Sequence, residues 1–90
     1  MNEFEWDARK AEANVAKHEI DFEDAIEIFE RPVLTLPSKY RAEERFVSIG
    51  LMGSKLVAVV WTRRSEITRI ISARSARHEE REAYRQSVGQ

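Results

Sequence analysis

The segment KLVAVVWTR, Lys55 to Arg63, constrains the fold more than any other stretch of this chain. Val57, Val59 and Trp61 alternate along it with Leu56, Ala58 and Val60, so a strand of period two presents apolar side chains to both faces. A strand of that kind sits centrally in its sheet and is buried on both sides. Gly53 and Ser54 turn the chain into it from RFVSIGLM, Arg45 to Met52, and Arg64 to Glu66 lead out of it into ITRIISA. Three runs joined by short turns imply an antiparallel meander. VLTL, Val33 to Leu36, supplies a fourth strand, and Pro37 with the polar SKYRAEE reads as a connection.

Helical periodicity flanks this region. Asp7 is placed to cap ARKAEANVAKH, where Ala8, Ala11, Val15 and His18 fall on one face and the helix ends near Glu19. Asp21 caps FEDAIEIFE, in which Phe22, Ala25, Ile26 and Phe29 recur at three and four residues, until Arg31 and Pro32 stop the helix. Beyond Ala73 the pattern is helical again through about Val88, with Ser72 or Ser75 as cap and Ala76, Glu80, Ala83 and Tyr84 facing inward or nearly so. The expected architecture is a single α+β domain over residues 1–90, ordered α-α-β-β-β-β-α, with helices packed on a four-stranded antiparallel meander.

Ninety residues, 42% of them apolar, suffice for one modest core. The absence of cysteine excludes a disulfide framework and thiolate metal sites. The longest apolar run, Leu56 to Trp61, is too short to span a bilayer, and the acidic start MNEFEWD lacks a secretory pattern, so a cytoplasmic, untargeted protein is expected. Charge is uneven: residues 1–30 hold three Lys/Arg against ten Asp/Glu, a net of −7, and residues 31–90 hold twelve against six, a net of +6. Such asymmetry suits a basic face meeting a polyanion or an acidic partner, or two parts of one fold that attract each other.

The basic residues concentrate in RIISARSARHEEREAYR, where Arg69, Arg74, Arg77, Arg81 and Arg85 occupy five of seventeen positions. Arg77, Arg81 and Arg85 form an i, i+4, i+8 row interleaved with glutamates, a pattern typical of a solvated helix face. Arg69 lies within an otherwise apolar strand and Arg74 at the strand-to-helix junction, while Arg45 and Arg63 lie on neighbouring strands. A cluster of guanidinium groups would suit phosphate, because arginine presents a planar fork of donors.

The segments FEWDARKAEANVAKHEIDFEDA, EERFVSIG and TRIISARSARHEEREAY, in that order and over nearly the whole chain, resemble the BrnT family of bacterial toxins. The resemblance implies a small RelE-like ribonuclease without metal or organic cofactor. It also implies a BrnA-like antitoxin partner that covers the toxic surface, contacts operator DNA on the pair's behalf, and can assemble with the toxin as a heterotetramer. Members often carry a histidine before the Thr-Glu-Arg that ends the central strand; here the stretch is WTRR, Trp61 to Arg64.

Metal-free RNA cleavage requires a proton acceptor for the 2′-hydroxyl, a donor for the departing 5′-oxygen, and cations facing the developing negative charge. Arginine does not give up its proton, so Arg69 and Arg74 are expected to stabilise charge. His18 and Glu44 are the expected proton-transfer groups. Lys17, Arg45, Arg63, Arg77 and Tyr84 are expected to hold RNA. Plainer roles stay open: His18 as a helix-end residue, Glu44 with Arg45 as an exposed ion pair, Tyr84 as core. The chain contains no glycine-rich phosphate loop and no G-x-S-x-G elbow, and its two histidines, 60 residues apart, do not suggest a metal site. The alternative function is a noncatalytic basic module that binds nucleic acid or a partner protein.

Overall fold

The computed structural model describes residues 3–89; Met1, Asn2 and Gln90 lie outside the described residues. The chain opens with a short strand, β1 (Glu3–Glu5), followed by α1 (Ala8–His18). Asp7 caps α1 from an extended backbone, its carboxylate accepting from the N–H groups of Arg9 at 2.8 Å and Lys10 at 3.2 Å. Glu19 ends the helix in the left-handed conformation at φ 60°. Asp21 then caps α2 (Phe22–Ala25), which tightens into a 3-10 turn over Ile26–Glu30 instead of running on as one helix. Arg31 is extended, as the residue before Pro32 is obliged to be.

Four longer strands follow, β2 (Leu34–Tyr40), β3 (Glu43–Met52), β4 (Lys55–Arg64) and β5 (Ile67–Ser75), before α3 (His78–Val88) closes the fold. The sheet order is β1-β5-β4-β3-β2, antiparallel except that β1 pairs parallel with β5. The α+β class and the meander are as expected, but the sheet has five strands instead of four. The acidic EFE tripeptide of β1 gave no local strand signal, and its pairing with Ile67–Arg69 joins residues 64 positions apart. Strand β2 also runs through Pro37, read from sequence as a connection. Because β2 is the outer strand, an absent N–H there need not interrupt the ladder. Ser72 and Ser75 belong to β5, and the residue preceding α3 is Arg77.

Strand β4 has the two apolar faces its sequence requires. Val57, Val59 and Trp61 join Ile70 and Ala73 of β5 beneath Ile20, Phe22, Ala25 and Ile28, which come from α2 and its flanking turns. Ala58 and Ile49 pack on the other face against Ala76 and Tyr84, with Leu34, Val47, Leu56 and Val88 around them. Each fully buried valine or isoleucine stabilises the fold by about 1.5–3 kcal/mol, so this double burial fixes the strand in the centre. Gly50 lets the 3-10 turn approach: a Cβ there would come within 2.9 Å of both Ile28 Cβ and Val33 Cγ1.

Trp61 is 8% exposed, stacks on Phe46 at 4.6 Å and meets Phe29 edge-on at 6.2 Å. Its indole N–H donates to Ser48 Oγ at 2.8 Å, and that hydroxyl shares a 2.8 Å hydrogen bond with Thr35. The side chain at the position where a histidine is often found is therefore a core anchor in this protein.

Candidate active site

Strand β1 covers only Ile67 to Arg69 of β5. From Ile70 onward β5 would be a bare sheet edge, a row of backbone donors and acceptors in need of partners. The side chain of Asn14, in the middle of α1 and 7% exposed, meets that edge. Its amide donates to Ala73 O and Ile20 O, both at 2.9 Å, and its carbonyl accepts from Ala73 N–H at 3.1 Å. One side-chain amide thus stands in for a neighbouring strand and fixes the distance between α1 and β5.

The rest of that helix face lines a cavity of about 180 Å³ against the strand. Lys10, Ala13, Asn14, Lys17 and His18 form one wall, Ile71 and Ser72 the other. The lining contains two ammonium groups, an imidazole, a hydroxyl and an amide, and no carboxylate. Lys17 and His18 stand in the last turn of α1, where the helix dipole favours positive charge. The groove can hold an anionic group, surround it with cations and exchange a proton with it through the imidazole.

Of the residues expected from sequence, the fold brings Lys17 and His18 together here and disperses the others. Arg69 lies on β5 two residues before Ile71 and pairs with Glu5 at 2.9 Å, both side chains partly exposed. Arg74 is further along β5 and is held in a fork by Glu80, Nη1 to Oε1 and Nη2 to Oε2 at 2.9 Å each, the two side chains only 17% and 16% exposed. The hydrogen bond from Arg74 holds the Glu80 carboxyl below its usual range, with the N–H of Arg77 adding to the effect against the opposing cost of burial. The same bond raises Arg74. This pair is a strut between the end of β5 and the start of α3, so Arg74 is committed to structure.

Arg45 bonds Glu43 through Nε at 2.9 Å and lies with its guanidinium 4.5 Å from the centre of the Tyr40 ring. Arg63 pairs with Thr68 and sits over Trp61 at 5.6 Å, on the opposite sheet face from Arg69, which pairs with Thr62. Arg77 is exposed beside the start of α3. Tyr84 is 6% exposed and belongs to the core beneath α3. Glu44 is exposed on β3, two strands from β5, beside Pro37, Ser38 and Lys39. The guanidinium cluster expected from sequence is therefore not assembled: the arginines occupy both faces of the sheet, and three of them already have carboxylate partners.

Lys10, Asn14 and Ser72 were not expected at a site. The signal for the first two was available, since Lys10, Asn14, Lys17 and His18 are spaced i, i+4, i+7 and i+8 and must share one helix face. Asparagine in mid-helix is itself unusual enough to demand a partner.

Comparison with solved structures finds this architecture in the crystal structure, at 1.1 Å resolution, of the Brucella abortus ribonuclease toxin BrnT. The match has a TM-score of 0.67 at 28% sequence identity, covering 87% of this chain and 100% of that one. Comparison with the sequences of curated proteins finds no match. Residues 6–80 match the model of a family described as ribonuclease toxin, BrnT, of type II toxin-antitoxin system, which places the chain in the class of ribonuclease toxins. Within that class it belongs to the BrnT family. As a type II toxin it has an antitoxin for a partner. No helix among the described residues is long and apolar enough to cross a membrane.

Proposed function

We propose that this toxin cleaves RNA without a metal ion, in the groove between α1 and β5, and that a BrnA-like antitoxin keeps it inactive. The observation that carries this reading is the convergence of Lys10, Lys17 and His18 on one cavity with no carboxylate in its lining. Cleavage proceeds by attack of the RNA 2′-oxygen on the adjacent phosphorus, which leaves a 2′,3′-cyclic phosphate and a 5′-hydroxyl. His18 moves the proton at the attacking or the departing oxygen, and the two lysines face the charge that builds on the phosphate. Arg69, just ahead of the groove wall on β5 and paired with Glu5, becomes a further cation along the approach when RNA displaces that carboxylate. The antitoxin covers the groove between α1 and β5, makes the contacts to operator DNA, and assembles with the toxin as a heterotetramer.

The test is cleavage of end-labelled RNA by the purified toxin in the presence of EDTA, with His18→Gln and Lys17→Ala alongside. Activity that survives the chelator, yields cyclic phosphate ends, and drops roughly 10²-fold or more in His18→Gln supports the proposal. Full activity in both variants, or loss of activity on chelation, contradicts it. Added BrnA-like antitoxin is expected to suppress cleavage stoichiometrically.

A further inference from the structure

The tip of the β2–β3 hairpin carries a feature that the groove does not use. Tyr40 is 50% exposed, among the most open large apolar side chains of the described residues, and two guanidinium groups lie over its ring, Arg45 at 4.5 Å and Arg41 at 5.1 Å from the centroid. Arg41 occupies the two-residue turn at φ 59°, a strained setting for a long side chain, yet one that directs it back to the ring. Arg45 is steadied through Nε by Glu43, which among the described residues leaves its Nη atoms without a hydrogen bond. Lys39 and Arg41 add positive charge at the tip, partly offset by Glu43 and Glu44. A planar aromatic ring with two planar cations beside it and half open to solvent has the chemistry that grips single-stranded nucleic acid: a base stacks on the ring or a guanidinium, and the neighbouring phosphates meet the charge.

The sheet connects this platform to the groove. Thr62 on β4 pairs with Arg69 on β5, and the register one step beyond Phe46–Trp61 sets Arg45 of β3 opposite Thr62. Arg45, Thr62 and Arg69 therefore form a row across three strands that Ser38 continues on β2; Tyr40 lies two residues beyond Ser38 towards the hairpin tip, and the groove wall at Ile71 begins two residues beyond Arg69. The span from β2 to β5 is roughly 14 Å at three inter-strand spacings of about 4.8 Å.

We infer that Tyr40, Arg41 and Arg45 form a second RNA subsite, a stacking platform that holds a base of the single strand outside the reaction groove. The inference rests on the ribonuclease reading of that groove. It is tested by fluorescence anisotropy with a fluorescein-labelled 2′-O-methyl oligouridine, whose blocked 2′-oxygen prevents cleavage, against the full chain and its Tyr40→Ala, Tyr40→Phe and Arg41→Asn variants. Binding is expected to weaken at least ~5-fold in Tyr40→Ala and to be retained in Tyr40→Phe, since stacking needs the ring and not the hydroxyl. Arg41→Asn should lower the salt slope by about 0.7, one phosphate contact to a single strand. Unchanged affinity in Tyr40→Ala, with wild-type protein that binds and cleaves RNA, overturns the platform and leaves the nuclease reading intact. Loss of antitoxin binding in Tyr40→Ala with RNA affinity unchanged overturns it in favour of a protein contact. Wild-type protein that neither binds nor cleaves RNA removes both readings.

Discussion

Replacing Asn14 with alanine removes the side chain that hydrogen-bonds α1 to the open edge of β5. Three backbone groups lose their partners: Ile20 O, Ala73 O and Ala73 N–H, now bonded at 2.9, 2.9 and 3.1 Å. A buried donor or acceptor left unmet costs about 1–3 kcal/mol. Asn14 lines the groove, so water can reach part of the vacated space and the low end of that range applies, giving a loss of about 3 kcal/mol in all. That is a large share of the roughly 5–15 kcal/mol that holds a small domain together. The melting temperature should fall by about 12–24 °C, at 4–8 °C per kcal/mol for a domain of this size. Urea unfolding followed by far-ultraviolet circular dichroism measures the change, with Val15→Ala, one residue along and exposed, as a control expected within about 0.5 kcal/mol of wild type. A destabilisation in Asn14→Ala no larger than that of the control would show that the edge is satisfied without the amide. The reasoning about how α1 is held would then be wrong.

Further expectations follow from the strut and the close approaches. Glu80 has a depressed folded-state pKa, so its pairing with Arg74 contributes stability that is fully present above the ordinary glutamate range and is lost as pH falls through the lower folded value. Stability measured from pH 6 down to pH 3 should decline through an acid limb that is flatter in Glu80→Gln. Arg74→Met should cost about 1–3 kcal/mol by denaturant unfolding, between the values for exposed and buried pairs, and any fall in RNA cleavage should track the loss of folded protein. Gly50→Ala should destabilise by about 1–3 kcal/mol through overpacking against Ile28 and Val33, with no separate effect on RNA binding.

Where local chemistry decides structure, the sequence was readable. Asp7 and Asp21 announce their helices because a short carboxylate satisfies the first free N–H groups. The doubly apolar Leu56 to Trp61 announces a central strand because no other position hides both of its faces. What escaped reading depended on partners far away in the chain. The β1–β5 pairing joins residues about sixty positions apart, and Pro37 breaks a strand pattern in any local reading even though an outer strand tolerates it. The arginines show the same limit: the Arg69 partner Glu5 is 64 residues away, and the Arg74 partner Glu80 lies beyond the turn into α3. A sequence shows the guanidinium groups but not which carboxylates neutralise them, so the cluster expected around Arg69 and Arg74 gave way to separate pairs. Lys17 and His18 were legible as candidates; that they share a groove with Lys10 and Ser72 depended on how closely Asn14 draws α1 to β5.

The central claim is that RNA reacts in the groove between α1 and β5, and chemical-shift mapping with a non-cleavable 2′-O-methyl dinucleotide tests it most directly. The account predicts the largest changes at the His18 imidazole and at the amides of Ile71 and Ser72, with Lys10 and Lys17 following. Changes confined to Arg74, Arg77 and the exposed face of α3, with His18 unmoved, would contradict it.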